Sequence, residues 1–315
     1  MQWEERIGRR LKLRDLHILL AVVQRGSMAQ AAAELAISQP AVSKAIADME
    51  HTVGLKLVDR TRRGIEPTMY GQALIRRGLA VFDELRQGVQ ELEFLADPTR
   101  GELRIGTSEG MAAGFLPAVV DRLSRQYPGL LLNVSQAVFA TAQYRELRER
   151  NVDLLLGRMF VPFKEDDLDA TVLFDDQVVI VAGRESRWAG KRRLALADLM
   201  DASWILPPAG SAPGTLAFEV FRASGLEMPI APVTTLSIHL CCRLLATGRF
   251  VATLPGSIMH FSGVGTSLKV LPVTLPPQPR PVGIVTLKNR TLGPIAQLFI
   301  NCARETARPL TKAPN

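Results

Sequence analysis

The stretch Gly26-Ser27-Met28-Ala29-Gln30-Ala31-Ala32-Ala33-Glu34-Leu35-Ala36-Ile37-Ser38-Gln39-Pro40-Ala41-Val42-Ser43-Lys44 decides the fold. Gly26 stands where a preceding helix would end in a left-handed turn. Ser27 is suited to cap a second helix, and Gln30 three residues later completes a capping-box pattern. That helix has a small inner face, Ala31, Ala32 and Leu35, which lets a neighbour approach closely. Ser38 is a second N-cap candidate, and Pro40 fits the first turn of the helix it opens. Val42, Ile46, Met49 and Val53 form that helix's inward stripe, so Gln39, Ser43 and Lys44 point elsewhere. Two short capped helices joined by a tight turn are the outline of a helix-turn-helix.

Working outward, Leu13, Leu16, Leu20 and Val23 recur at helical spacing and predict the helix that Gly26 closes. On the other side, Gly54 ends the third helix. Leu55–Asp59 and Ile65–Pro67 then read as two short strands turned through Arg62-Arg63-Gly64, a wing. Lys56, Arg60, Arg62 and Arg63 oppose only Asp59 there, a local basic patch. A long helix follows from Thr68 to about Leu95, with Leu74, Val81, Leu85, Val89, Leu92 and Leu95 on one side. Their spacings of seven, four, four, three and three keep to steps of three and four over roughly three heptads, the pattern of a helix that needs a partner. Asp97-Pro98-Thr99-Arg100-Gly101 breaks it and reads as a hinge.

Beyond the hinge, strands and helices alternate, which indicates α/β. Strands are predicted at Leu103–Gly106, Leu130–Val134, Val152–Leu156 and Val178–Val181, with a helix through Leu116–Leu123. A second unit begins near Leu196–Met200, with strands near Trp204–Leu206 and Phe250–Leu254. Pro-rich Leu275–Pro281 reads as a crossover, Gly283–Leu287 as a strand returning to the first unit, and Gly293–Arg304 as the closing helix. Two α/β lobes crossed twice by the chain make a clamshell.

The 315 residues, 47% hydrophobic and 22% charged, suit two or three globular domains. The net charge of +7 permits an anionic partner without identifying it. Residues 1–70 hold 11 Lys and Arg against 8 Asp and Glu, so the excess is spread along the chain. Three cysteines cannot build a disulfide framework, and adjacent Cys241-Cys242 lacks metal-site spacing. Met1–Arg14 has no apolar signal core, and no run of about 18 apolar residues occurs, so a cytoplasmic location with no membrane partner is expected. No Ser-His-Asp order, phosphate-loop glycine motif or metal-ligand cluster appears, so no catalytic residue, metal or cofactor is expected. A redox sensor would need two cysteines able to bridge, and neighbours on a helix point about 100° apart. An architectural DNA protein would leave some 200 residues unused.

The Gly26–Lys44 run, continued by Met49-Glu50, Gly54, Leu57, Arg60-Thr61, Arg63, Thr68 and Gly71, resembles the LysR-type transcriptional regulators over about 45 residues. Pro67 departs from the leucine that most members carry. The resemblance implies a winged helix-turn-helix domain over 1–67, a dimerising linker helix over 68–95 and a hinge over 96–101. An effector domain like the periplasmic binding proteins then fills 102–315, with lobe 1 at about 102–182 and 282–308 and lobe 2 at about 183–281. It implies a double-stranded DNA operator, a small-molecule inducer, RNA polymerase, and the chain itself as homodimer or homotetramer as partners, in activation or repression.

A helix entering the major groove presents its first residues to base edges. Gln39 can pair bidentately with adenine and Lys44 can meet guanine or phosphate. Ser27, Ser38, Pro40 and Ser43 flank them, and Arg60, Arg62 and Arg63 suit the backbone or minor groove from the wing. Taken singly, the serines also read as caps and Lys44 as a solvated charge.

For the inducer, residues at the carboxyl ends of strands are the candidates: Thr107, Ser108 and Gly110, then Thr141, then Pro208 (with Ser211) and Ser237. Arg158 stands where some aromatic-acid-sensing relatives place a carboxylate-binding arginine, and an arginine gives bidentate recognition of a carboxylate. An organic or aromatic acid is favoured, with a sugar as the competing ligand. Arg158 also reads as a salt bridge. Glu109 would repel an acid unless it points away or pairs with Arg158.

Overall fold

The computed structural model describes residues 10–62, 64–136, 144–159, 162–261, 263, 266–276 and 281–311. They form two compact units, Met1–Gly88 and Val89–Asn315. The first unit opens with α1 (Leu13–Arg25), α2 (Met28–Glu34) and α3 (Gln39–Val53). Gly26 and Gly54 end α1 and α3 at φ 64° and 74°, a region that only glycine enters without strain. The hydroxyl oxygens of Ser27 and Ser38 accept the Gln30 and Ala41 amides, each at 3.4 Å, and so cap α2 and α3. Leu19, Val22, Ala31, Val42 and Met49 are fully buried between the three helices. Leu13, at the start of the predicted apolar stripe, is instead half exposed, and Leu16, Leu19 and Leu20 carry the contact.

The wing is the antiparallel hairpin β1 (Val58–Thr61) and β2 (Gly64–Pro67), closed by the Thr61–Gly64 pair. Ile65 donates its amide to the Gly26 carbonyl at 2.8 Å, and a Cβ on Gly64 would meet that same oxygen at 2.5 Å. A glycine is therefore needed for the wing to seat on the end of α1. α4 (Met69–Ala96) follows, about 42 Å long at 1.5 Å per residue. Its first turns lie against the winged unit at backbone distance, since a Cβ on Gly71 would sit 2.0 Å from the Leu57 carbonyl oxygen. Val81, Leu85, Val89, Leu92 and Leu95 are exposed along one side of α4.

The second unit contains two five-stranded sheets. The first has strand order β4-β3-β5-β12-β6, with β3 at Arg100–Thr107, β4 at Gly129–Gln136, β5 at Leu154–Arg158, β6 at Leu168–Asp175 and β12 at Pro281–Leu287. β3 runs parallel to β4 and β5, whereas β12 is antiparallel to β5 and β6. The helices α5 (Glu109–Ala113), α6 (Phe115–Gln126), α7 (Arg145–Arg148) and α11 (Pro294–Thr311) accompany this sheet. Its core holds Ile105, Phe115, Leu156 and Phe299.

The second sheet has the order β11-β7-β10-β8-β9, from β7 (Val178–Gly183), β8 (Ser203–Leu206), β9 (Val233–Thr234), β10 (Phe250–Pro255) and β11 (Leu268–Val270). With α8 (Ala212–Ala223), α9 (Ile238–Leu245) and α10 (Gly256–Phe261) it makes the second lobe. Trp204 is fully buried there, its indole N–H donating to the Leu199 carbonyl at 2.8 Å.

Three features differ from the sequence expectation. β7 pairs with β10 and β11, so the first crossing between lobes falls at Asp176-Gln177 rather than after residue 182. β6, which the sequence reading does not predict, is the last strand before that crossing. The expected hinge over 96–101 is shorter, because Arg100 and Gly101 already pair with Gly129 and Leu130. Gly101 is required by its backbone, whose φ of 144° strains any residue with a Cβ; that Cβ would also displace the end of the Ile295 side chain of α11. The turn that remains is tied by Asp97, whose carboxylate accepts from the Thr99 amide and hydroxyl.

Candidate functional site

The first turns of α3 and the wing carry the predicted base- and phosphate-contacting set. Ser38, Gln39, Pro40 and Lys44 are exposed, and Ser43 and Ser27 are half-buried. Both capping serines use an oxygen lone pair and keep a hydroxyl proton free to donate. Arg60 and Arg62 are exposed on the wing; Arg63 lies outside the described residues. Neither Lys44, Arg60 nor Arg62 forms an ion pair with a described residue.

The fourth cation of the basic run behaves differently. Lys56 reaches Glu50 of α3 at 2.8 Å, and Glu50 also accepts the Leu57 amide at 2.8 Å. Burial pushes the Glu50 carboxyl up, but Lys56 and the two amides of Leu57 and Val58 outweigh it and leave it below its ordinary value. Lys56 and Glu50 therefore fasten the wing to α3. Sequence reasoning does not assign Glu50 this role, although its position at the end of an apolar helix face, six residues before a lysine, is consistent with it.

In the second unit most of the described candidates are already engaged by the protein, and some of them lie where the lobes meet. Thr107 is fully buried at the end of β3 and donates to the Leu156 carbonyl at 2.9 Å, clamping β3 to β5. Ser108 precedes α5 without a side-chain capping bond. A Cβ on Gly110 would lie 3.4 Å from Pro255 of β10, so this glycine marks where the lobes touch. Thr141 lies outside the described residues. The Pro208 carbonyl accepts from the Ser211 hydroxyl at 2.6 Å, and Ser211 in turn caps α8. Ser237 caps α9, which packs against α5 of the other lobe.

Arg158 closes β5 and donates from Nη2 to the carbonyl and carboxylate of Asp176, both at 3.1 Å. Its Nε is buried with no hydrogen-bond partner, while a fifth of the side chain is exposed. Asp176, missed from the sequence, is the knot of this region. Its two oxygens also accept the Ser257 amide at 2.9 Å and hydroxyl at 2.7 Å, which caps α10. Glu109 turns away from Arg158 and accepts from Gln136 at 2.6 Å. The acidic doublet Asp175-Asp176 between two apolar runs was the only signal of this knot.

A second ionic knot lies inside lobe 1. Asp153 binds Arg104 at 2.9 Å and the fully buried Arg290 at 2.6 Å. Burial raises the Asp153 carboxyl, but the Arg104 side-chain and backbone bonds and the charges of both arginines hold it at about 2.

The three cysteines are free thiols. Burial, with the neighbouring Cys242 adding to it, pushes Cys241 up to about 12; burial likewise raises Cys242 and Cys302. Such thiols carry little thiolate and react slowly with oxidants. Among the described residues no His, Cys, Asp or Glu cluster is placed to hold a metal, and no helix is long and apolar enough to cross a membrane. A cavity of about 300 Å³ opens in lobe 2 alone, lined by Arg193–Ala197, Ser224, Leu226 and Thr274, away from the residues predicted for the inducer.

Residues 13–72 match the family model "Bacterial regulatory helix-turn-helix protein, lysR family", and residues 96–308 match "LysR substrate binding domain". Among curated relatives, the HTH-type transcriptional regulator GbpR of Azospirillum brasilense is 29% identical over 297 residues, 94% of this chain and 86% of its own. Among solved structures, a full-length OxyR variant of Pseudomonas aeruginosa superposes with a TM-score of 0.69 at 20% identity, covering 98% of this chain and 100% of that one. Full-length CbnR complexed with its target DNA gives 0.54 at 20% identity, covering 94% and 100%.

Proposed function

Because the chain belongs to the LysR family of bacterial transcriptional regulators, we propose that its operator is read by Gln39, Ser43 and Lys44 of α3. In this reading Ser27, Ser38 and Pro40 shape the first turns, and Arg60, Arg62 and Arg63 hold the DNA backbone from the wing. The family supplies the coarse activity: a DNA-binding regulator, not an enzyme, with a domain for a small-molecule effector. The observation that supports the residue assignment is the exposed first turn of α3, where Gln39 and Lys44, like the wing's Arg60 and Arg62, have no partner among the described residues. In this reading the winged domain spans 1–67 and the linker helix 68–95, and the first crossing between the lobes lies at residues 176–177.

The exposed apolar side of α4 supports pairing of two copies through this helix, and the homotetramer, like contact with RNA polymerase, is proposed by family likeness. Two winged domains related by a two-fold axis read half-sites spaced by whole helical turns. The inducer binds between the lobes, beside Ser108, Gly110, Thr141 and Ser237. Arg158, with its unsatisfied Nε, supports an organic acid over a sugar: a carboxylate there would take a hydrogen bond that Asp176 leaves unused. An inducer acts by favouring one lobe arrangement over another.

Selection of duplexes from a random pool by the full-length chain tests this. Enrichment of an inverted repeat is expected, with Leu85→Glu plus Leu92→Glu reducing the footprint to a single half-site. Recovery of sequences with no shared motif would contradict the reading.

A further inference from the structure

We infer that the second lobe carries its own contact for the DNA phosphate backbone, the loop that follows β7. The two lobes differ in net charge. Residues 178–276 hold nine Lys and Arg against five Asp and Glu, a net of +4. Residues 102–177 with 281–311 hold twelve against thirteen, a net of −1. In lobe 1 several arginines are spent on carboxylates: Arg104 and Arg290 on Asp153, Arg148 on Glu165 and Asp167, and Arg122 on Glu305. In lobe 2 four cations are not. Arg187, Lys191, Arg192 and Arg193 are exposed within seven residues and ion-pair with no described residue.

Four like charges so close repel one another and cost stability unless an anion meets them. The loop is nonetheless held firmly. Ser186 and Ala189 are buried, Lys269 donates to the Ala189 carbonyl at 2.6 Å, and Leu194 bridges to Val273. Arg187 is spread over the Trp188 ring at 4.5 Å, which fixes its guanidinium plane. Fixed cations lose little entropy when they dock, which is what a backbone contact requires.

Both duplex DNA and an acidic protein face would match this charge. Duplex DNA is favoured because the same chain already holds it through its first unit. Tethering raises the phosphate concentration near the loop to a level that a partner in bulk solution does not reach. Such a contact carries no sequence information and adds to affinity and salt dependence alone.

The test uses the full-length chain and two duplexes with the same selected site, one ending at the site and one extended by about 20 base pairs on each side. The variant is Lys191→Gln, Arg192→Gln and Arg193→Gln together; the positions are exposed, and an unchanged melting temperature confirms folding. On the long duplex the slope of log affinity against log salt is expected to fall by about 0.9 for each phosphate the loop no longer neutralises, with the short duplex unaffected. An unchanged slope on the long duplex overturns the inference. So does an unchanged slope with loss of RNA polymerase recruitment, which would assign the loop to an acidic protein face. If the unsubstituted chain binds neither duplex, the reading of α3 and the wing has failed, and the loop's role falls with it.

Discussion

The exposed face of α3 and the crossing between the lobes differ in what their polar side chains are already doing. On α3 and the wing, Gln39, Lys44, Arg60 and Arg62 are exposed, and the three cations form no ion pair with a described residue. At the crossing, Thr107 clamps two strands, Ser211 and Ser237 cap helices, and Arg158 grips Asp176. A surface that reads a rigid polyanion can leave its groups waiting in water. A cleft that opens and closes must spend polar groups on holding its own two halves. Residue type alone therefore says much about the first region and little about the second.

The contrast breaks most sharply where a buried charge loses its partner. Asp153→Ala leaves Arg290 buried without its carboxylate, and the effector unit should lose about 3–5 kcal/mol, read by urea unfolding followed through tryptophan emission. The acid limb reports the same pair. The folded carboxyl sits at about 2, below its ordinary 3.8, so the stabilisation is complete above the ordinary value and disappears as pH falls toward 2. A flat stability profile between pH 5 and pH 2 would show that the pair contributes nothing.

Next is Arg158, where the two regions would become alike if it were free for ligand. Arg158→Met should cost the effector unit about 1–3 kcal/mol, because the Asp176 carboxylate loses a charged donor while Ser257 remains. A variant of unchanged stability that no longer responds to inducer would make Arg158 purely a ligand residue.

The smallest effect lies in the turn between α2 and α3. Ala36 holds φ 52°, a conformation that costs a residue with a Cβ roughly 1 kcal/mol. Ala36→Gly should relieve this, partly offset by the entropy of a glycine, and leave the melting temperature within a few degrees. A loss of more than about 1 kcal/mol would mean that the alanine methyl does something beyond its backbone strain.

How much was legible follows the range of the interactions. The caps Ser27 and Ser38, the proline at 40 and the terminating glycines 26 and 54 act within four residues, and they appear where the sequence puts them. The returning strand, expected at Gly283–Leu287 and found at Pro281–Leu287, was legible because a proline-rich run precedes its apolar residues in the sequence. β7 was assigned to the wrong lobe because a short apolar run fits the middle of either sheet, and only its pairing with β10 and β11 distinguishes them. The Asp176 knot joins groups 18 and 81 residues apart, which no local pattern records. Gly101 reads as a hinge glycine by composition, yet it lies within β3 at φ 144°, a conformation that only the folded strand reveals.

The central claim is that α3 specifies sequence while the wing only holds on. Its most direct test is the ratio of operator to random-duplex affinity, measured by competition for Gln39→Ala and Arg62→Ala across a salt series. The account predicts that Gln39→Ala lowers this ratio by about 1–3 kcal/mol and leaves the salt slope alone. Arg62→Ala should weaken both duplexes equally and reduce the slope by about 0.9. An intact ratio in Gln39→Ala, or a ratio lost in Arg62→Ala, would contradict it.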